Sequence, residues 1–140
     1  MAREEQGPNE RLVRMRVVWG AIVMSHFVFV GVAVFMTRSM PEGITGGSEF
    51  PASLGIVFAV LGLGAAGISM LLRNVLKGRA ERSSDPSATR FQSLIIGLAL
   101  TDFASTLGLV HALLTGGLGV AILLFACGFI AAIWHFPLEA

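Results

Sequence analysis

The stretch that decides the fold runs from Phe91 to Leu114 and reads FQSLIIGLALTDFASTLGLVHALL. It has the length and character of a bilayer crossing, because about 20 apolar residues rising about 1.5 Å each cover a hydrocarbon core of about 30 Å. Asp102 sits near its centre. A carboxyl at that depth costs a few kcal/mol on insertion scales, which makes Asp102 a functional-site candidate by default.

Moving outward, Thr115-Gly116-Gly117 reads as a tight turn, followed by a shorter apolar run, Leu118 to Trp134. On the other side, residues 73–90 are basic and contain serines, with Pro86 expected to end any helical continuation. Before them lies Ala52 to Leu72, and before that a loop from Thr37 to Pro51 holding Pro41, Gly43, Gly46 and Gly47. The first apolar run is Val17 to Met36, with Trp19 near an interface, where indoles are enriched. No Asp, Glu, Lys or Arg other than Asp102 lies inside these four runs. Residues 1–16 are polar, and Gly7, Pro8 and Asn9 are expected to break any helix there. The run after them lacks a convincing cleavage site and reads as a retained span rather than a signal peptide.

Composition agrees. Of 140 residues, 54% are hydrophobic and only 14% charged, against about 25% charged in soluble domains. Backbone groups in lipid must pair within their own segment, so the four runs are helices. Nine of the ten Lys and Arg residues either precede the first span or fall within 73–90. By the positive-inside rule both termini and that loop are then cytoplasmic. The expectation is an all-α, integral membrane four-helix bundle, N-in/C-in. A polar segment at 1–16 leads into a transmembrane domain at 17–136, with spans 17–36, 52–72, 91–114 and 118–134. Residues 137–140 form a short tail.

Several functional classes drop out. A net charge of +1 gives no reason to expect a nucleic-acid partner. There is no nucleophile–base triad or phosphate loop, and Gly62-x-Gly64-x-x-Gly67 lies inside a span with no strand before it, so no enzyme activity is expected. The single cysteine, Cys127, reads as a small apolar residue. His26 and His111 differ in depth by roughly 9 Å, which argues against a shared metal or haem, so neither metal nor cofactor is expected. His135 reads as an interface residue.

Small residues recur at i+3 and i+4 on two spans: Gly55, Ala59, Gly62 and Ala66 on the second, and Gly97, Thr101, Ala104 and Gly108 on the third. Such stripes let helix backbones approach closely, and these two are expected to pack together. Ser105 and Thr106 follow Asp102 by three and four residues and are expected to reach towards its carboxyl. His26 lies within about two residues of the depth of Asp102, so a hydrogen bond between them is an option if the two helices touch. The other option is a His26 bonded to a carbonyl or facing a partner.

Residues Ala99 to Val110, ALTDFASTLGLV, resemble the carboxylate-bearing helix of the proteolipid (c-type) subunits of rotary ATPases, typically A-L-A-E-A-x-A-I-Y-G-L-V. Ala99, Leu100, Gly108, Leu109 and Val110 match, and Asp102 takes the place of the ion-binding acid. The resemblance extends loosely over 54–114 and implies that Asp102 binds a proton. Phe103 follows the acid directly and the second helix has no Gln, so the sodium-type pattern is absent. Leu107 stands at the family's tyrosine, and the first and fourth spans have no counterpart in a two-helix proteolipid. The expected role is a structural or accessory subunit of a larger complex in a bacterial-type inner membrane, meeting lipid and other subunits or further copies of itself. The alternative is a proteolipid-like, proton-translocating or proton-sensing subunit using Asp102, Ser105, Thr106 and His26.

Overall fold

A computed structural model describes residues 8–45 and 51–138, the side chains of Pro8 and Ala52 excepted. Among these residues the chain forms four helices and no strand: α1 (Pro8–Ser39), α2 (Ala52–Ala80), α3 (Pro86–Thr115) and α4 (Gly119–Trp134). The first three are long and apolar enough to cross a membrane. With 16 residues, α4 covers about 24 Å at 1.5 Å per residue, less than a full hydrocarbon core.

The helices are longer than the apolar runs. Against expectation, α1 begins at Pro8. Proline's fixed φ suits a first turn, where its missing N–H forfeits no bond. Likewise α2 continues past Leu72 to Ala80, and Pro86 opens α3 rather than ending a helix. The carboxylate of Asp85 caps α3 by accepting from the Ala88 N–H at 3.1 Å. The stretch read as a loop over 73–90 therefore shrinks to residues 81–85. Arg3, Gly7, Gly46, Gly47 and the last two residues of the tail lie outside the described residues.

The relative directions of α1, α3 and α4 are fixed by contacts at the two ends. Arg11 of α1 donates to the Ser87 hydroxyl at the start of α3. Trp19 Nε1 donates to Ala132 O near the end of α4, at 2.7 Å. At the opposite end, the Ile44 N–H donates to Leu113 O at 2.9 Å and the Thr45 hydroxyl to Leu114 O at 2.9 Å. The segment after α1 thus folds across the α3–α4 connection. Left-handed glycines, one from each segment, lie back to back: Gly43 (φ 66°) and Gly116 (φ 67°). A Cβ on Gly43 would stand 2.7 Å from Gly116 N, and one on Gly116 would stand 2.8 Å from Gly43 N.

At the centre, α3 and α4 each touch every other helix, whereas α1 and α2 do not touch each other among the described residues. The interior is rich in small side chains, with Ala33, Ala104, Ala121, Ala131 and Ala132 fully buried beside a few large ones such as Leu98 and Leu124. Large apolar side chains such as Phe35, Ile56, Val60, Leu71 and Ile122 point outward. That arrangement suits lipid, where helix association rests on close packing of small residues and not on burying large apolar ones. The chain is a multi-pass membrane protein.

The small stripe of α2 does not meet α3 alone. A Cβ on Gly55 would stand 3.4 Å from His111 Nε2 of α3, while one on Gly62 would stand 2.5 Å from a Leu124 methyl of α4. Ala66 clusters with Ala104 of α3 and Ala131 of α4. On α3 the stripe also serves two neighbours. Gly108 faces Ala121, Leu124 and Phe125 of α4, and Gly97 faces the imidazole of His135. The two stripes therefore form one small-residue surface that admits α4 between α2 and α3.

Candidate functional site

Asp102 and its neighbours occupy the middle of α3, where the helix passes between α1 and α4. The carboxyl is partly buried, and its partner is a residue that the sequence reading passed over. Ser25 Oγ of α1 lies 2.8 Å from Asp102 Oδ1 and donates to it. The same oxygen lies 2.6 Å from Ile22 O, one turn back on its own helix. This bond ties α1 to α3 near the middle of both helices.

His26 stands one residue further along α1 and is 2% exposed, yet it turns to α4. Its Nδ1–H donates to Ile22 O at 2.8 Å, which leaves Nε2 facing Gly128. The Asp102–His26 hydrogen bond considered from the sequence is not formed. Depth along a helix can be counted from sequence, but facing cannot: at 3.6 residues per turn, neighbours point about 100° apart. Ser25 and His26 share a level and diverge between α3 and α4.

The two hydroxyls expected to reach the carboxyl do not do so either. Thr106 Oγ1 donates to the backbone carbonyl of Asp102 at 2.9 Å, as hydroxyls one turn on commonly do. Ser105 is completely buried and faces Gly128. A Cβ on Gly128 would collide with Ser105 Oγ and stand 2.9 Å from Thr101 O and 3.3 Å from His26 Nε2. The α4 backbone thus lies directly against α1 and α3 here. Ser105 Oγ and His26 Nε2 are buried and unpartnered among the described residues. Thr101, fully buried, donates to Leu98 O at 2.8 Å and serves packing.

The other two histidines are enclosed as well. His111 packs against Gly55 and edge-on against Phe58, with centroids 6.1 Å apart. His135, expected at the membrane surface, is 5% exposed and occupies the notch over Gly97. The Ser69 hydroxyl donates to Gly97 O at 2.9 Å, and Ser69 Oγ lies 2.6 Å from His135 Nε2. A missing side chain at position 97 is what admits the ring. No group of three or more His, Cys, Asp or Glu side chains able to hold a metal converges among the described residues.

The chemistry available at the middle of α3 is therefore one carboxyl, a hydroxyl bonded to it, and, facing Gly128 of α4, a buried imidazole nitrogen and a buried hydroxyl that are unpartnered among the described residues. No family model, curated protein or solved structure matches this chain. The likeness of residues 54–114 to proteolipid subunits, densest over 99–110, rests on the sequence alone.

Proposed function

We propose that this chain is a small structural or accessory subunit of a larger membrane complex, in which the carboxyl of Asp102 locks α1 against α3. The observation that carries this reading is the Ser25–Asp102 hydrogen bond of 2.8 Å. It gives the one acidic group at mid-depth a partner within its own chain, so the carboxyl has a packing role that needs no cation. The exposed apolar exterior offers broad surface to lipid and neighbouring subunits. The distribution of basic residues supports an orientation with both termini in the cytoplasm of a bacterial-type cell.

A second reading has an observation of its own. Ser25 Oγ has one hydrogen and two acceptors within reach, Ile22 O and Asp102 Oδ1. A hydrogen on the Asp102 carboxyl would donate to Ser25 Oγ and leave the serine hydrogen for Ile22. Because Asp102 is only partly buried, a partner's cation could approach it and release that proton. This would make the chain a proteolipid-like, ion-coupled subunit.

Asp102→Asn and Asp102→Leu in native membranes separate the two readings. Asn retains a hydrogen-bonding head without an acidic proton. The locking role predicts that Asn assembles and functions as the native chain does while Leu fails to assemble. If Asn assembles but abolishes a proton-coupled activity, and dicyclohexylcarbodiimide labels native Asp102, the locking role is displaced by ion coupling.

A further inference from the structure

Parts of all four helices meet at the end of the bundle where α4 stops. His135 directly follows the last residue of α4 and lies in the notch over Gly97 of α3, where a Cβ would stand 2.7 Å from its Nε2 and 2.8 Å from its Nδ1. Ser69 of α2 closes the contact. Its hydroxyl has one hydrogen, which goes to Gly97 O at 2.9 Å. The Nε2 of His135, 2.6 Å from the same Ser69 Oγ, then carries a hydrogen of its own and donates it. The seat is therefore shaped for a neutral ring with its proton on Nε2. Beside it, Phe136 meets Trp19 of α1 edge-on with centroids 4.9 Å apart, so the residues that end α4 hold α1 as well.

A second proton on the ring is disfavoured there. His135 is 5% exposed. The charged side chains that line the cavity beside it, among the described residues, are Arg73 and Lys77 of α2 and Arg90 of α3, the last engaged in an interaction of its own. From α1, Arg16 lies 5.7 Å from the Phe136 ring centroid. Burial holds the imidazole below its ordinary 6.5, the charge of Arg73 adds to this, and a hydrogen bond with the Ser69 backbone opposes both. Water still reaches the ring, because the cavity it lines measures about 160 Å³ and one water needs about 15 Å³. A depressed folded value means that the neutral seat is fully stable above 6.5 and is lost as pH falls through the lower folded value.

We infer that His135 is an acid-released latch: the neutral ring pins the end of α4 against α2 and α3, and protonation drives it out of the notch over Gly97. Release loosens α4 at this end and leaves the Ser25–Asp102 bond in place, so the latch does not depend on the role of Asp102.

The test follows the isotope-labelled full-length protein in nanodiscs by NMR from neutral to acid pH. At neutral pH the His135 ring carries its proton on Nε2. On acidification it titrates with a midpoint below 6.5, and the Ser69 and Gly97 amide resonances move with the same midpoint. In His135→Gln those two amides no longer titrate. In Arg73→Gln the midpoint rises, because the neighbouring charge is gone while the notch itself is unchanged. A native midpoint at 6.5 or above would overturn the latch. Protonation without movement of Ser69 and Gly97 would do the same, since the ring would then be staying in its seat. Continued titration of the two amides in His135→Gln would assign the change to another group. Where His135→Gln does not fold, the native titration and that of Arg73→Gln decide the question by themselves.

Discussion

A hydroxyl or carboxyl hydrogen inside a bilayer has few places to go, so each polar side chain at mid-depth is defined by its partner. Asp102 has Ser25, and the value of that link follows from the modest strength of hydrogen bonds in membranes. Ser25→Ala is expected to lower stability by about 0.6–2 kcal/mol, measured by reversible unfolding in bicelles. Asp102→Asn should retain most of that stability and Asp102→Leu should not. The Gly128 contact is a matter of space. Gly128→Ala drives a methyl into Ser105 Oγ and the Thr101 carbonyl and is expected to lower the unfolding midpoint. Gly20→Ala, with nothing within 4 Å of the added atom, should leave it unchanged. Asp102 was conspicuous in the sequence because it is the one acid among apolar residues. Ser25 was not, because a serine in a membrane helix commonly bonds its own backbone, as this one also does.

At the scale of elements, the ends of the helices carry the information. The cap at Asp85 binds the start of α3, and its carboxyl is held below the usual carboxylate range. The Ala88 N–H contributes most to this and the Ser87 hydroxyl next; desolvation opposes them, and the charge of Arg11 adds a lesser lowering. A depressed folded value means that this contribution is fully present above the ordinary 3.8 and is lost as pH falls through the lower folded value. The Ala88 amide resonance should shift across that window, and in Asp85→Asn it should stay constant with pH. The other end depends on Gly43 and Gly116, both left-handed and pressed together. Gly116→Ala combines an unfavourable φ with a clash against Pro41 O and is expected to cost about 1–3 kcal/mol, again read by unfolding in bicelles. A tight turn was legible there from Gly116-Gly117. Its contact with the segment after α1 was not, because the two segments lie about seventy residues apart in the chain.

For the whole molecule, the distribution of side-chain sizes decides the environment. An interior made mostly of small residues, with most large apolar residues outside, describes a bundle whose exterior is completed by lipid. Ser39 and Ser84 are exposed at opposite ends of it, so they report the orientation argued from charge. In a Cys127→Ala background, Ser39→Cys should react with an impermeant maleimide added to intact cells, and Ser84→Cys should react only after lysis. The reverse pattern would put the 81–85 connection and the basic residues that flank it, Arg73, Lys77, Arg79 and Arg90, outside and contradict the positive-inside reading.

The sequence by itself determined that the chain is helical, that it enters the membrane several times, and which acid lies in the middle. Those properties depend on local apolar length, on the need to satisfy backbone hydrogen bonds in lipid, and on residue identity. It did not determine the helix ends, because Pro8 and Pro86 act as starts only when a helix follows them in space and sequence together. Tertiary structure alone decided that Ser25 rather than His26 meets Asp102, that His135 fills the notch over Gly97, and that α4 rather than α1 lies against α2. Each of those outcomes is a rotation or a neighbour choice. A helix of small and apolar residues offers several faces of nearly equal merit, and only the simultaneous packing of all four selects among them.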